Sequence, residues 1–483
     1  MKRHGVDIRN KVLSGAIWKF AERILAQAVS LIVSIYIARL LDPSDYGVVS
    51  IVTVFFAFAN VLISGGLNTA LIQKKDADDE DYNTVFSVSL LVALAIYAGL
   101  FFAAPWIANI YKQEILKSII RVLGLSLPIY ALKSIVCAYV SSSLQFRMFF
   151  FATLGGTLAS ALVGISLAYR GYGAWALVAQ QLTNTIIDTL ILFIKTKLRL
   201  YFRISFNKLR SLVKYGSKIL ASSLLGVTFN QINPLFIGLK YSSADLSFYT
   251  KGRALPETLS SSMIYTISSV LFPVLAKYQE ERERLLKYTR SYMQMASFIV
   301  FPVMIGFFAV SNNFVNVCLT DKWSPVVYYI RIVCLSDMFL VVAAGNCETI
   351  KAMGRSDIFL KIEIAKKTGY FITLALFLYW TDTPETLALS LLVCTAIQII
   401  INSIPNIKLI GYTVKMQMAD LIPNLMISVV MCAVVMLIDR LGMNAIVSLV
   451  IQIVSGVLIY ILLAIITRNS ALRNMLNILK TKH

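Results

Sequence analysis

Seven long runs without a charged residue place the strongest limit on what this chain can fold into. They are residues 46–72, 82–111, 148–169, 219–239, 291–320, 386–407 and 441–467. Each reaches the roughly 20 residues that an α-helix needs to cross about 30 Å of hydrocarbon. Charged residues make up 14% of the 483 positions, whereas about 25% is usual in soluble domains. The chain is therefore predicted to be an all-α integral membrane protein.

Shorter and interrupted apolar runs bring the predicted number of transmembrane helices to about 14. Their centres lie near residues 30, 57, 95, 131, 158, 183, 228, 265, 302, 340, 373, 395, 430 and 455. Strands of a membrane barrel would instead alternate over segments of about ten residues. The first apolar stretch, from Ile24 to Leu41, is longer than that of a signal peptide, and no small-residue cleavage site follows it. We therefore expect it to be the first span of the mature chain.

Lysine and arginine are concentrated in the even-numbered connections between the predicted spans. The connection between spans six and seven contains no acid and carries Lys195, Lys197, Arg199, Arg203, Lys208, Arg210 and Lys214. The positive-inside rule places such connections, and with them both termini, in the cytoplasm. The same rule explains most of the net charge of +20, so we predict no binding to nucleic acid.

Residues for common catalytic and metal chemistry are scarce. The only histidines are His4 and His483, and the six cysteines show no paired spacing. No glycine-rich phosphate loop occurs, and no connection on the outer face exceeds about twenty residues, so there is no room for a soluble catalytic domain. We therefore predict no enzymatic activity, no catalytic residue, no cofactor and no metal site. What remains is a membrane body that binds or moves a ligand.

One polar corner between apolar runs occurs twice, 200 positions apart. The stretch IYIARLLDPSDYGVVSI (35–51) aligns with LFIGLKYSSADLSFYTK (235–251), so that Asp45 matches Asp245. Because six spans separate the copies, both cross the membrane in the same direction, as in a parallel repeat of two six-helix halves. Chance similarity between polar corners is the alternative. The predicted domains are an N-terminal lobe (1–205), a C-terminal lobe (206–415) and two additional transmembrane helices with a cytoplasmic tail (416–483).

Polar side chains recur on one face of the first helix of each half and continue into span eight. The candidate substrate-binding residues on these faces are Lys19, Arg23, Gln27, Lys218, Asn230, Asn233 and Arg253. Charges inside a membrane normally face a cavity or a partner, which indicates a water-filled cleft. The alternative for Lys19, Arg23 and Lys218 is that their long side chains extend to the lipid headgroups.

Acidic residues within the spans are candidates for ion coupling or for charge pairs. They are Glu22, Asp188, Glu257, Asp337 and Glu348. A coupled proton or sodium ion would need such acids inside the bundle. For Asp337 and Glu348 the alternative is a structural ion pair with Arg331 or Lys351.

Four stretches carry a resemblance to a known family. They are IARLLDPSDYGVVSIVTVFFAFANVLISGGLNTALIQ (37–73), SSSLQFRMFFFATLGG (141–156), GYGAWALVAQQL (171–182) and ISSVLFPVLAKYQEERERL (267–285). The chain resembles the Wzx-type polysaccharide flippases, the polysaccharide transporter branch of the multidrug/oligosaccharidyl-lipid/polysaccharide exporter superfamily. The colanic acid and teichuronic acid exporters are the most similar types. The resemblance covers nearly all of the chain.

The resemblance implies a V-shaped bundle of two six-helix lobes with two extra C-terminal helices. It also implies a bacterial inner-membrane protein that moves an undecaprenyl-diphosphate-linked oligosaccharide to the outer leaflet by alternating access, for lipopolysaccharide O-antigen, capsule or exopolysaccharide assembly. A polysaccharide polymerase and a chain-length regulator are its expected partners, beside membrane lipid. In related lipid II flippases, cations of helices one, two and eight bind the diphosphate, and here Lys19, Arg23 and Arg253 occupy positions of that kind. Span two has no cation.

Three other functions stay open at this point. A multidrug exporter of the same superfamily would share the two-lobed body but have a more apolar cavity. A membrane glycan polymerase or ligase would need a large outer loop, which this chain lacks. A passive scramblase or a structural component is the third alternative.

Overall fold

The computed structural model describes residues 25, 27–74, 76–196, 198–380 and 382–473, apart from the side chain of Val270, and it is helical throughout those ranges except at turns and connections. The first helices are α1 (Gln27–Leu40), α2 (Pro43–Ser64), α3 (Leu67–Gln73), α4 (Asp79–Ile110), α5 (Ile115–Leu123), α6 (Ser126–Ser142), α7 (Arg147–Tyr169), α8 (Ala174–Lys195) and α9 (Phe206–Lys240). The remaining helices are α10 (Ser243–Lys277), α11 (Arg282–Cys318), α12 (Val326–Asp337), α13 (Leu340–Ala352), α14 (Ser356–Trp380), α15 (Pro384–Ile410), α16 (Val414–Asp439) and α17 (Ala445–Ile466). The predicted all-α fold is confirmed.

Eleven segments in the described ranges are long and apolar enough to cross a membrane, two of them made of consecutive helices, α5 with α6 and α12 with α13. Helices α9 and α14 span 35 and 25 residues but carry more charges. Together with the shorter apolar helix α1, these are compatible with the fourteen predicted spans. The protein is therefore a multi-pass membrane protein.

The doubled polar corner forms the same hydrogen bond in both places. Before α2, the backbone N–H of Asp42 donates to the Asp45 carboxylate (3.3 Å). Before α10, the backbone N–H of Ser242 donates to the Asp245 carboxylate (3.1 Å). A side chain three residues inside a helix that accepts from the residue before it satisfies a donor that the helix leaves unpaired. The two copies therefore begin their helices with the same local contact, and the repeat itself stays a prediction.

Contacts between connections join those that are predicted to lie on the same side of the membrane. Asp45, just after the first connection, accepts a hydrogen bond from the backbone N–H of Ala174, just after the fifth (3.0 Å). Gln113, in the third, donates to Ser243, after the seventh (3.2 Å). All four connections are odd-numbered, which agrees with an alternating path of the chain across the bilayer.

Two glycines interrupt span two and allow a close helix crossing. Gly65 and Gly66 have φ values of +55° and +69°, in the left-handed region where glycine is favoured, and they separate α2 from α3. A Cβ atom on Gly66 would lie 2.2 Å from the backbone oxygen of Gly216 in α9. The backbones of α3 and α9 therefore touch where no side chain fits.

The C-terminal helix pair α16 and α17 is joined to α11 by polar contacts at both ends. Near the start of α11, Arg290 holds the Asp420 carboxylate with two bonds of 2.9 Å. Near its end, Asn313 donates to Asp439 (2.6 Å), and its amide also contacts Ser448 and Gln452 of α17. Buried polar groups in a membrane need such partners, so these contacts fix the pair along the length of α11.

The chain divides into two compact units, one ending at Ser247 and one beginning at Phe248. In the first unit, α9 packs against α2, α3 and α4. In the second, α11 packs against α12, α13, α16 and α17. The division into lobes at residue 205 stays a prediction.

We predict that Arg290→Met destabilises the protein by on the order of 2–3 kcal/mol, because it leaves the Asp420 carboxylate, 1% exposed, without its cation. The value lies below that of a fully buried pair because Arg290 is 37% exposed. Thermal unfolding in detergent, followed by tryptophan fluorescence, measures the change. Arg284→Met is the matched control, since the pair of Arg284 with Glu281 is exposed on both sides, and we expect a change of about 0–1 kcal/mol. Equal effects of the two substitutions would contradict a structural role for Arg290.

Candidate functional site

One face of α10 carries a row of polar side chains inside the membrane. Tyr249, Arg253, Glu257 and Ser260 follow one another at spacings of four, four and three residues, which keeps them on the same side of the helix. Arg253 donates to the Glu257 carboxylate through Nε (2.6 Å) and to the Tyr249 hydroxyl through Nη1 (2.8 Å). The sequence predicted both charged residues of this face, and the structure pairs them with each other.

Asp337, at the end of α12, extends this row. Its Oδ2 atom accepts a hydrogen bond from the Ser260 hydroxyl (2.7 Å), and the residue is buried. Arg331, the partner considered for it, donates to Ser311 instead (3.0 Å). Within the described residues, no cation lies within ion-pair distance of Asp337. We call Tyr249, Arg253, Glu257, Ser260 and Asp337 the α10 cluster.

Arg253 retains hydrogen-bonding capacity toward a ligand. Its guanidinium carries more N–H donors than Tyr249 and Glu257 satisfy. The Arg253 side chain is 19% exposed and that of Glu257 is 41% exposed, so the pair is not closed off by protein. Tyr370 of α14 is close enough to interact electrostatically with Arg253, which brings a third helix to the cluster.

Asp188, predicted as a coupling acid, lies in the first unit and forms a partly buried ion pair. Lys133 of α6 donates to Asp188 Oδ2 of α8 (2.5 Å). Gly156 lets α7 pack closely on α8 beside this pair, because a Cβ atom there would lie 3.0 Å from the Cβ of Asp188. The pair joins α6 to α8 and neutralises a charge that would be costly to leave alone in the membrane.

The predicted polar face of α9 is only partly buried. Asn233 is buried, whereas Lys218 and Asn230 are exposed, as is Gln27 of α1. An exposed side chain of a membrane protein faces lipid or water, so both interpretations of Lys218 stay open. Their roles in substrate binding stay predictions.

The remaining predicted residues are Lys19, Glu22, Arg23 and Glu348. Lys19, Glu22 and Arg23 lie outside the described residues. Glu348 forms an ion pair with Lys351 (3.0 Å), which agrees with the alternative of a structural charge pair.

Three polar residues that make these contacts were not predicted from the sequence, namely Lys133, Tyr249 and Ser260. Lys133 is a single cation in the apolar stretch PIYALKSIV, and an intramembrane cation signals a nearby acid. Ser260 is one of several small polar residues on α10, and nothing in its spacing marks it as the partner of Asp337. In the described ranges, no three histidine, cysteine or acidic side chains come together as a metal site would require.

The α10 cluster can bind an anion and can hold a proton. A guanidinium with spare donors suits a phosphate oxygen, because its planar fork matches two acceptors. A carboxyl that accepts from a single hydroxyl can take up a proton without losing a cation partner. The two chemistries lie on two neighbouring helices, Arg253 on α10 and Asp337 on α12, which the Ser260 hydroxyl joins.

Comparisons with known proteins agree with these features. Residues 36–328 match the family model described as polysaccharide biosynthesis protein. The lipopolysaccharide biosynthesis protein WzxC of Escherichia coli (strain K12) is 21% identical over 363 residues, which cover 75% of this chain and 74% of WzxC. The teichuronic acid biosynthesis protein TuaB of Bacillus subtilis (strain 168) is 20% identical over 478 residues, which cover 95% of this chain and 96% of TuaB.

Two solved structures share the fold. The lipid II flippase MurJ, in an inward closed conformation, aligns with a TM-score of 0.74 at 16% identity, over 94% of this chain and 99% of that one. An inward-facing multidrug resistance MATE family transporter of the MOP superfamily aligns with a TM-score of 0.61 at 14% identity, over 82% and 98%. The resemblance to polysaccharide exporters is thereby confirmed. Because the family model matches more than half of its length, the chain belongs to the polysaccharide biosynthesis protein family.

Proposed function

We propose that the protein moves an undecaprenyl-diphosphate-linked oligosaccharide from the inner to the outer leaflet of a bacterial cytoplasmic membrane, with both termini in the cytoplasm. The observation that carries the proposal is Arg253, an arginine with spare donors inside an apolar helix of a chain of this family. On this proposal the protein is a carrier and not an enzyme. A polysaccharide polymerase and a chain-length regulator would use its product at the outer face.

A diphosphate headgroup needs what the α10 cluster offers. It is a dense anion that hydrocarbon excludes, and an arginine can bind two of its oxygens at once. Glu257 would have to give up part of its hold on Arg253 when the headgroup arrives, since both are anions. Its 41% exposure leaves it room to turn toward water. Binding thereby exchanges one acid partner of Arg253 for another.

The opposite side of α10 suits the lipid part of such a substrate. Leu255 and Leu259 line an apolar cavity of about 550 Å³ in the second unit. Its other walls come from α11, α16 and α17, through residues such as Phe307, Met431 and Ile453. One helix thus has a charged face for a headgroup and an apolar face for a segment of prenyl chain, an arrangement that matches an amphipathic lipid.

Membrane potential and a coupled ion can both favour export. Moving one charge across 100 mV changes its free energy by about 2.3 kcal/mol, and a dianion leaving an inside-negative cell gains about twice that. Of the coupling acids predicted in the described ranges, Asp188, Glu257 and Glu348 are ion-paired. Asp337 accepts from a hydroxyl instead. We therefore assign the exchange of a proton or sodium ion to Asp337.

A multidrug exporter is the main alternative, since its fold is shared. The match to the polysaccharide biosynthesis family and the arginine of the α10 cluster favour an anionic sugar lipid over an organic cation. A transport assay in proteoliposomes separates the two functions, because a multidrug exporter would move a cationic dye and leave the sugar lipid in place. A polymerase or ligase would change the product, whereas a flippase relocates it unchanged.

We predict that Arg253→Ala lowers translocation of a prenyl-diphosphate-linked oligosaccharide into proteoliposomes roughly 10–100-fold, because a charge-assisted bond contributes about 1.5–3 kcal/mol. Arg253→Lys should give an intermediate rate, since the charge stays and the fork is lost. Arg355→Ala is the control, because Arg355 forms an exposed pair with Asp357. Full transport by Arg253→Ala at equal protein amounts would remove Arg253 from the mechanism.

We predict that Asp337→Asn abolishes the stimulation of transport by an imposed ion gradient. The amide oxygen can still accept from Ser260, so folding should be kept, but the side chain can no longer exchange a proton or hold a cation. The rate is measured with and without a pH gradient, and again with sodium replaced by potassium. Glu348→Gln, which removes an acid that is already paired with Lys351, should respond as the parent does. A gradient response that survives in Asp337→Asn would show that coupling lies elsewhere.

A further inference from the structure

The connection between α8 and α9 is fixed to the first unit by its backbone. Three N–H groups at alternate positions donate to side chains near the start of α4. They are those of Tyr201, Arg203 and Ser205, which donate to Asn83, Ser87 and Thr84 at 2.7, 2.9 and 3.1 Å, respectively. Alternate N–H groups that point the same way are typical of an extended chain. Residues 198–206, called the linker here, therefore have an inner and an outer side.

Apolar packing holds the inner side of the linker. Leu198 is buried and Leu200 is partly buried in a cluster that includes Leu71 and Tyr82. With the three backbone bonds, this packing gives the linker one defined position on α3 and α4. A segment held in this way presents its outer side as a surface of fixed shape.

The outer side of the linker and the start of α9 expose large aromatic rings. Tyr201, Phe202 and Phe206 are 60%, 62% and 78% exposed. The linker connects two membrane-spanning helices, so it lies at the membrane surface. Aromatic side chains are enriched at that depth, where the ring meets the edge of the hydrocarbon and a polar tip meets water.

Acidic residues at the start of α4 pair with two cations of this region, Lys208 and the exposed Arg203. Lys208 pairs with Asp78 and with Glu80, and Arg203 lies 3.7 Å from Glu80. Hydrogen bonds from Lys208 and from the backbone of Asp81 lower the pKa of Asp78 to about 2. The pair therefore stays charged at neutral pH, and these acids are occupied.

Three outer cations of this region differ from Lys208 and Arg203. Arg199, Arg210 and Lys214 are exposed, and in the described part of the chain none of them has an acid within ion-pair distance. Arg199 lies in the linker near Tyr201, whereas Arg210 and Lys214 follow Phe206 in α9 at successive spacings of four residues, on the same side of the helix. Cations beside interfacial aromatic rings form a surface complementary to a layer of phosphates.

We propose that the outer side of residues 199–214 is a binding surface for the headgroups of anionic phospholipids in the leaflet that contains the cytoplasmic ends of α8 and α9. Tyr201, Phe202 and Phe206 insert at headgroup depth, and Arg199, Arg210 and Lys214 contact the lipid phosphates. The surface contains no residue of the α10 cluster. It would recognise bulk lipid whether or not the proposed transport function is correct.

The test uses the full-length protein with Phe202→Trp as a reporter, in vesicles of phosphatidylcholine with 30% phosphatidylglycerol. Either lipid is supplied in a brominated form that quenches nearby tryptophan, and the signal of the parent protein, which has Phe202 in place of the reporter, is subtracted. We expect strong quenching, with the glycerol lipid preferred about fivefold or more, since one cation near an anionic leaflet contributes about that factor. The preference should fall at 1 M salt, where charges are screened within about 3 Å.

Charge variants decide whether the three cations cause the preference. Arg199→Ser, Arg210→Ser and Lys214→Ser together should bring the quenching ratio close to one, while Lys replacements at the two arginines should keep it. The matched control removes three exposed cations of the second unit, Lys277, Lys287 and Lys361, and should leave the ratio unchanged. The thermal unfolding temperature of every variant is measured in detergent to show that each is folded as the parent is.

Three outcomes would overturn the proposal. Absence of quenching by either lipid would place the linker in water or against protein. Equal quenching by both lipids would mean insertion without headgroup recognition. Lipid-independent binding of a short RNA, lost in the triple serine variant, would assign the cations to a soluble polyanion.

Discussion

A bilayer interior offers no hydrogen-bond partners, and this constraint decides where the chain can place its charges. Charged side chains that enter the described helices deeply meet partners on a neighbouring turn or helix. Lys133 meets Asp188, and Arg290 meets Asp420. These pairs join α6 to α8 and α11 to α16, so that charge neutralisation and helix packing are one and the same contact. The fold is therefore held by polar contacts as well as by apolar packing.

The α10 cluster departs from this pattern in a way that favours a function. Arg253 has an acid partner but keeps unused donors, and Asp337 is buried with a hydroxyl as its partner. Spare donors on a partly exposed arginine and an acid without a cation leave hydrogen-bonding capacity for a ligand or an ion at this place. The cluster thus differs from the ion pairs that join α6 to α8 and α11 to α16.

Much of the fold was predictable from local patterns in the sequence. Length and apolar composition predict the spans, and the doubled corner predicts the equivalent starts of α2 and α10. Partners that are far apart in sequence were not predictable, because no local signal encodes them. Arg290 and Asp420 are 130 positions apart, and the pair between Lys133 and Asp188 requires knowing which helices are neighbours. For the candidate site, both charged residues of α10 were predicted, whereas Ser260 was not, and the residues before Leu25 stay predictions.

The carboxylate of Asp45 serves the starts of two helices at once. One oxygen accepts from the Asp42 backbone before α2, and the other accepts from Ala174 at the start of α8. Separating α2 from α8 at this end would remove the hydrogen bond from the backbone N–H of Ala174 to the Asp45 carboxylate. The first unit is therefore stiff at this end, and any bending during a transport cycle is easier where α2 gives way to α3, at Gly65 and Gly66.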